Sequence, residues 1–163
     1  MTLDRRTLMS GGALIGMATI AAACSGQPAA ASGPAPTYRL SDAEWRKRLS
    51  PAAYYVLRQA GTERAGTSPL DAEGRKGIYH CAGCDLPLYD SKTKFHSGTG
   101  WPSFWAPIKG AVVENRDDSL GMVRTEITCR QCGGHLGHVF DDGPPPTGLR
   151  YCMNGVALRF QPA

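Results

Sequence analysis

Two cysteine pairs with Cys-x-x-Cys spacing constrain this chain more than any other feature of its sequence. Cys81 and Cys84 form "CAGC", Cys129 and Cys132 form "CRQC", and residues 85–128 separate the pairs. Two such turns can present four thiolates at the corners of a tetrahedron, the arrangement of closed, structural zinc sites. The alternatives are disulfides, which an exported protein can form, and a redox-active pair. The spacing favours one structural Zn²⁺ ion, with no chemistry at the metal.

Residues 1–24 have the pattern of a bacterial export signal. Arg5 and Arg6 form a twin-arginine pair, and residues 13–23 are apolar but too few to span a bilayer. A general secretory signal is the alternative. Cys24 follows three alanines and resembles a lipobox cysteine, although an ordinary cleavage site has nearly the same pattern. We expect an exported protein in the periplasm or on the outer face of the membrane, with or without a lipid anchor at Cys24.

The rest of the chain divides into a linker and one domain. Residues 25–37 are rich in proline and alanine and predict a linker. Residues 38–163 suffice for a domain with a single core. The net charge is +4, from 18 basic and 14 acidic residues, without runs of like charge. We therefore expect no nucleic-acid partner and a monomer, whose only membrane contact would be through a lipid anchor at Cys24.

Two short helices are predicted at the start of the domain. Ser41 and Glu44 have the spacing of a capping box, in which each side chain binds a backbone amide of the other residue. A second helix should begin after Ser50, with Pro51 in its first turn, and end just before Gly61. Both helices are expected to pack on a β body.

Beyond these helices the segments are short, rich in aromatic and β-branched residues, and separated by glycine, proline or aspartate. The pattern predicts a mainly β, mainly antiparallel domain. "VRTEI" alternates, with Arg124 and Glu126 on its polar face. "YCMNGVALRF" also alternates and predicts a single strand with Cys152 and Asn154 on one face.

Cys152 lies in "GLRYCMNG", with no other cysteine near it in the sequence. A free cysteine is often only a small buried apolar residue. Arg150 and Asn154 would share its strand face, however, and polar neighbours suggest that this face lines a cleft. A nearby arginine favours the thiolate, which is the nucleophilic form. We interpret Cys152 as a candidate nucleophile.

Two further segments supply candidate site residues. His135 and His138 lie in "GGHLGHVFDDG", where the glycine-rich surroundings allow both rings to point inward. The alternatives are surface histidines or partners of the zinc site. Trp101 and Phe104 lie in "SGTGWPSFW", an aromatic segment typical of either a core lid or a small apolar substrate pocket. We predict that both residues bind substrate.

The residues from about Tyr38 to Phe160 resemble the B-type methionine-R-sulfoxide reductases. The motifs that carry the resemblance are "CAGCDLPLYDSKTKFHSGTGWPSFW", "CRQCGGHLGHVFDDGP" and "GLRYCMNG", in that order, preceded by "SPAAYYVLRQAGTERAGTSPL". The resemblance implies two antiparallel β-sheets with short N-terminal helices. It also implies zinc at the four paired cysteines, Cys152 as nucleophile, and the remaining roles around the sulfoxide for Arg150, His135, His138, Asn154 and Trp101.

The implied reaction is attack of Cys152 on the sulfoxide sulfur while His135 or His138 protonates the oxygen, which leaves a sulfenic acid. Many members of the resembled family carry a second, resolving cysteine in the motif "SGCGWPSF", where this chain has Thr99. We therefore expect reduction by an external thiol, from a thioredoxin-like partner or a small molecule. The alternative functions are a non-catalytic, zinc-binding protein-interaction module and a thiol-disulfide oxidoreductase.

Overall fold

The computed structural model describes residues 35–163, and two short helices open the domain as predicted. Helix α1 spans Asp42–Arg48 with the expected capping box of Ser41 and Glu44. Helix α2 spans Pro51–Gln59 and has Ser50 as its N-cap. Its C-cap is Ala60 in the left-handed region, with φ 52°, rather than the glycine that follows. The export signal, Cys24 and most of the linker lie outside the described residues.

Nine strands follow the helices and form two antiparallel sheets. Strands β2, β1 and β9, in that order, make a sheet of three strands, and β3, β4, β8, β7, β6 and β5 make a sheet of six. The prediction of a mainly β domain with two antiparallel sheets is confirmed. The strands are β1 Gly77–Cys81, β2 Pro87–Asp90, β3 Lys94–Phe95, β4 Ser103–Phe104, β5 Val112–Asp117, β6 Arg124–Cys129, β7 His135–Phe140, β8 Arg150–Met153 and β9 Leu158–Pro162.

The prediction of one strand through "YCMNGVALRF" is wrong. Strand β8 ends at Met153, a short 3₁₀ helix occupies Gly155–Ala157, and β9 then pairs with β1 in the other sheet. The chain turns because the carboxylate of Glu63 accepts hydrogen bonds from two consecutive backbone amides, those of Gly155 and Val156. These amides are therefore not available to a sheet ladder, and the segment is divided between two strands of different sheets.

An aromatic cluster between the two sheets forms the centre of the core. Phe104 of β4 stacks on Tyr89 of β2, with ring centroids 4.3 Å apart, and contacts Tyr79 of β1 edge-on at 4.9 Å. The side chain of Phe104 is fully buried. Its predicted role in substrate binding is therefore corrected: it belongs to the core, because the short strand β4 points it toward the three-stranded sheet.

The prediction for the core concerns Phe104→Ala. Removing this ring should lower the free energy of unfolding by about 3–5 kcal/mol, the usual cost of such a cavity. Urea unfolding followed by circular dichroism measures the change. Phe95→Ala, at a partly exposed position of β3, is the control and should cost less. Equal losses in the two variants would contradict the position of Phe104 in the core.

Among residues 35–163, no helix has both the length and the apolar character required to cross a membrane.

Candidate active site and metal centre

The two Cys-x-x-Cys turns meet at one buried cluster that could hold a metal ion. All four Sγ atoms lie within 4.8 Å of one another. Cys81 and Cys132 are 3.7 Å apart, and Cys84 and Cys129 are 3.5 Å apart. These separations exceed the S–S bond of a disulfide, about 2.05 Å. They match the sulfur spacing of about 3.8 Å that tetrahedral Zn–S bonds of about 2.3 Å would require. The donor set therefore fits one tetrahedral metal.

The two turns repeat the same backbone geometry. The amide of Asp85 donates to the carbonyl of Cys81 at 2.9 Å, and the amide of Gly133 donates to the carbonyl of Cys129 at 2.8 Å. Asp85 and Gly133 occupy equivalent positions and both have left-handed φ values, 65° and 68°. Glycine adopts this conformation without steric cost and aspartate tolerates it, so each turn has a residue that permits the sharp reversal.

The N-terminal helices cover the cluster. The guanidinium of Arg48 donates to the carbonyl of Gly83 at 2.5 Å, and that of Arg58 donates to the carbonyl of Cys132 at 3.2 Å. The side chain of Leu57 packs against the second turn. Because β1 carries one turn and the β6–β7 connection carries the other, the cluster joins the two sheets as well as the helices.

A separate cavity of about 140 Å³ contains Cys152. Four residues predicted for the site line this cavity, namely Trp101, His138, Cys152 and Asn154. The remaining predicted residues, His135, Arg150 and Phe104, are not part of its lining. The sequence analysis did not predict the other four lining residues, Thr62, Arg124, Gly137 and Phe140.

Strand pairing places Cys152 between two polar neighbours. Its Cα partners are Ser103 on β4 and His138 on β7. Burial raises the pKa of the Cys152 thiol, and this effect outweighs the lowering by Thr99 and Arg150. Arg150 thus favours the thiolate of Cys152, as predicted, but its effect on the pKa is smaller than that of burial. Close packing of β7 on β8 also explains Gly137, where a Cβ atom would lie 2.1 Å from the carbonyl oxygen of Cys152.

His138 is held by a carboxylate at the end of β5. Its Nε2 lies 2.8 Å from Asp117 Oδ2, which also accepts from Arg124 Nη2 at 2.7 Å. Because a carboxylate only accepts, Nε2 carries a proton, and the proton that charges the ring resides on Nδ1. Burial lowers the pKa of His138, and the hydrogen bond to Asp117 offsets only part of this effect. His138 is therefore mainly neutral at pH 7.

His135 lies behind His138. The two rings are 5.4 Å apart and nearly perpendicular. Nδ1 of His135 donates to Glu126 Oε1 at 2.7 Å. The side chain of His135 is 5% exposed, and its buried Nε2 has no hydrogen-bond partner within the described residues. Of the two histidines, only His138 borders the cavity that contains Cys152.

Arg150 is fixed by an acidic and an aromatic neighbour. Its Nε and Nη2 atoms each lie 2.8 Å from an oxygen of Asp142, in a bidentate pair. The guanidinium also lies 4.5 Å from the ring centroid of Phe140, which lines the cavity. Arg150 therefore supports Phe140 in the cavity wall, and its charge favours the thiolate of Cys152.

Glu63 connects Trp101 with Asn154, although sequence analysis gave it no role. The indole N–H of Trp101 donates to the carbonyl of Glu63 at 3.2 Å, and the amide of Glu63 donates to Asn154 Oδ1 at 2.9 Å. Asn154 also donates from its side chain to the carbonyl of Leu136 at 3.1 Å. One loop residue therefore sets the orientation of two cavity side chains.

Two of the other residues near the site that were not predicted lie in a sequence pattern that could have indicated them. Arg124 and Glu126 form the polar face of "VRTEI", to which the sequence analysis gave no role in the site. Arg124 on this face binds Asp117, and Glu126 binds His135 and is the Cα partner of His138. No sequence pattern indicates a role for Asp117 or Glu63. Their contacts with His138 and Asn154 join segments that are distant in sequence.

The fold and the site define a class: a small two-sheet β domain with a buried four-thiol cluster and a separate thiol in a cavity beside carboxylate-bonded histidines. A family model described as the SelR domain matches residues 49–162. The chain is 59% identical over 128 residues to the peptide methionine sulfoxide reductase MsrB of Agrobacterium fabrum, covering 78% of this chain and 95% of that protein. The MsrB protein of Pseudomonas putida W619 is 62% identical over 120 residues, with 73% and 90% covered. The chain belongs to this SelR-domain family.

The prediction for this site concerns Glu63→Gln. The neutral amide should bind the amides of Gly155 and Val156 less well, so the free energy of unfolding should fall by about 1–3 kcal/mol. The indole N–H resonance of Trp101 should shift, because its acceptor belongs to the loosened loop. Urea unfolding and ¹H–¹⁵N spectra measure the two effects. Glu73→Gln, in the same loop, is the control and should leave the Trp101 resonance in place; an unshifted Trp101 resonance in Glu63→Gln would contradict the linkage.

Proposed function

We propose that this protein reduces methionine-R-sulfoxide in peptides and proteins to methionine, with Cys152 as the nucleophile. The observation that carries the proposal is the small cavity in which Cys152, Trp101, His138 and Asn154 come together. The MsrB relatives are named for the reduction of peptide methionine sulfoxide, and the R epimer follows from the resemblance to the B-type enzymes. The expected physiological role is repair of oxidised proteins.

The reaction moves one oxygen atom from the substrate to the enzyme. The thiolate of Cys152 attacks the sulfoxide sulfur and forms an S–S bond to it, while the sulfoxide oxygen takes up a proton and becomes a hydroxyl group. This hydroxyl group then passes to Cys152 Sγ, as the substrate's S–O bond and the new S–S bond both break. The oxygen finishes on Cys152 as a sulfenic acid, so the substrate gains two electrons and Cys152 loses two. Methionine then leaves the cavity.

His138 is the acid in this proposal. It borders the cavity and is the Cα partner of Cys152, whereas His135 lies one layer further back. Asp117 binds Nε2–H, so the additional proton of the charged ring is carried by Nδ1 and can pass to the sulfoxide oxygen. His135, bound to Glu126, contacts the ring of His138 from behind and supports its position.

The remaining side chains orient the substrate. Trp101 provides an aromatic surface for the S-methyl group, and its bond to Glu63 fixes the plane of the ring. Asn154 supplies polar orientation from the end of β8. Arg150, held by Asp142, stabilises the ionised form of Cys152.

The four-cysteine cluster is proposed to hold one structural Zn²⁺ ion, bound by Cys81, Cys84, Cys129 and Cys132. When bound, the metal supplies stability rather than catalysis, because four protein ligands leave no open position for substrate. The buried thiols and their spacing support this assignment.

Recycling and location complete the proposal. Thr99 stands where a resolving cysteine would be, so an external thioredoxin-like or small thiol is proposed to reduce the sulfenic acid.

Residues 1–24 are proposed to direct export by the twin-arginine route. Residues 25–37 are proposed to form the linker, and residues 38–163 the reductase domain. The protein is proposed to act as a monomer in the periplasm or on the outer face of the membrane, with Cys24 as the site of any lipid anchor.

Turnover of separate sulfoxide epimers tests the function. With dithiothreitol as reductant, a peptide containing the R epimer should be reduced and the S epimer should not, because one enzyme type serves each epimer. Chromatography of the methionine product measures both rates. Cys152→Ser should abolish turnover while keeping its metal. Equal rates on both epimers, or activity in Cys152→Ser, would refute the proposal, and the latter would favour a non-catalytic role for Cys152.

The pH dependence tests the acid. The ionised fraction of Cys152 rises with pH, and the protonated fraction of His138 falls, so single-turnover rates should follow a bell. His138→Gln should slow the reaction and leave a rate that only rises to a plateau at high pH. His135→Gln is the matched control and should keep the bell. Rapid-quench measurement of methionine, without reductant, gives these profiles; a bell retained in His138→Gln would contradict the role of that residue.

Metal removal tests the cluster. The purified protein should contain one zinc per chain, and Cys81→Ser should lose both metal and cooperative unfolding, since structural zinc contributes on the order of 10 kcal/mol. Elemental analysis and thermal unfolding measure these changes, with zinc-replete Cys152→Ser as the control. A metal-free protein with unchanged thermal stability would argue against a structural metal.

A further inference from the structure

Three hydroxyl groups form a continuous chain that reaches the sulfur of Cys152. Ser97 Oγ lies 2.8 Å from Ser103 Oγ and 2.8 Å from Thr99 Oγ1. Thr99 Oγ1 lies 3.9 Å from Cys152 Sγ. Ser103 is fully buried and is also the Cα partner of Cys152 in the pairing of β4 with β8. Both ends of this hydrogen-bonded chain, Thr99 and Ser103, therefore lie beside the same thiol.

The donors and acceptors available in each state of Cys152 determine which way the hydrogen bonds between these hydroxyls point. While Cys152 is a thiol, its S–H can donate toward Thr99, Thr99 to Ser97, and Ser97 to Ser103. The last hydroxyl, that of Ser103, donates to the carbonyl oxygen of Trp101 at 3.1 Å. An ionised sulfur can only accept, and each hydroxyl can rotate. In the thiolate state the three hydroxyls can therefore all donate in the opposite direction, toward the sulfur.

The charged groups around Cys152 do not by themselves offset the effect of burial on the pKa of its thiol. Arg150 acts from the same strand but is bound to Asp142, His138 faces the thiol from β7, and Arg124 lines the cavity from β6. Burial nevertheless keeps the pKa of Cys152 raised, while hydrogen bonds from Thr99 and Ser103 lower it. The segment that carries these hydroxyls, residues 97–104, contains no charged residue, so its influence comes from hydrogen bonding.

We propose that the hydroxyl chain stabilises the ionised form of Cys152, with Thr99 as a catalytic residue that donates to the sulfur and Ser97 as a positioning residue that acts through it. Ser103 acts through Ser97 and also from its own position beside the thiol. This inference rests on the proposed role of Cys152 as the nucleophile. It gives Thr99 a function of its own at the position of the resolving cysteine: the residue that cannot form a disulfide instead favours the reactive form of the thiol.

The test is the pH profile of alkylation of Cys152 by iodoacetamide in the zinc-loaded protein. Mass spectrometry of the Cys152 peptide gives the rate for this thiol alone. Thr99→Val keeps the shape but loses the donor, and the rate at pH 7 should fall about tenfold, with the profile displaced to higher pH. Thr99→Ser keeps the donor and should stay within about twofold of the unmodified protein.

Two further variants separate the chain from a local packing effect. Thr93→Val loses a comparable hydroxyl bond, to the carbonyl of Asp90 at 2.9 Å, and should leave the profile unchanged. Ser97→Ala should displace the profile in the same direction as Thr99→Val, because it interrupts the chain behind Thr99. Thermal unfolding checks that each variant is folded.

Three results would overturn the inference: an unchanged profile in Thr99→Val, a profile in Thr99→Ser that matches Thr99→Val, or an unchanged profile in Ser97→Ala. Alkylation requires no sulfoxide, so these failures leave the proposed reductase function intact. Conversely, absence of R-sulfoxide turnover by the unmodified protein would remove the proposed function without altering the measured influence of Thr99 on the thiol.

Discussion

The four-thiol cluster is the constraint on which the rest of the structure depends. One turn extends β1 of the three-stranded sheet, and the other joins β6 to β7 in the six-stranded sheet. Helix α2 reaches the same cluster through Arg58. A single buried centre thus fixes the relative positions of two sheets and a helix in a domain whose strands are short. Four buried thiols at this spacing offer a tetrahedral set of ligands, which explains why a metal is expected there.

This framework determines where the reactive thiol can lie. Strand β7 leaves the second cysteine turn and carries His135 and His138, and its next neighbour, β8, carries Cys152 opposite His138. The loop after α2 then brings Glu63 to the end of β8, where it binds Asn154 and the two amides that follow. The four-thiol cluster and the cavity are therefore separate sites that are connected through one strand and one helix.

Sequence alone predicted the parts that rest on local pattern. The Cys-x-x-Cys spacing, the capping box at Ser41 and the β character of the body depend on neighbouring residues, and the structure bears them out. Alternation failed at "YCMNGVALRF", because Glu63, some ninety positions earlier, binds the amides at the turn. Phe104 was misplaced because an aromatic side chain suits a core and a pocket equally until its strand partners are known.

The central claim is that Cys152 takes the oxygen of the substrate, and that no other cysteine within residues 35–163 resolves the resulting sulfenic acid by forming a disulfide. The most direct measurement is a single turnover with an R-sulfoxide peptide, without reductant, in the presence of dimedone. Mass spectrometry should find one dimedone adduct at Cys152 per methionine formed, with the four clustered cysteines unmodified. Methionine formation accompanied by a disulfide between Cys152 and another cysteine of the chain would contradict the account.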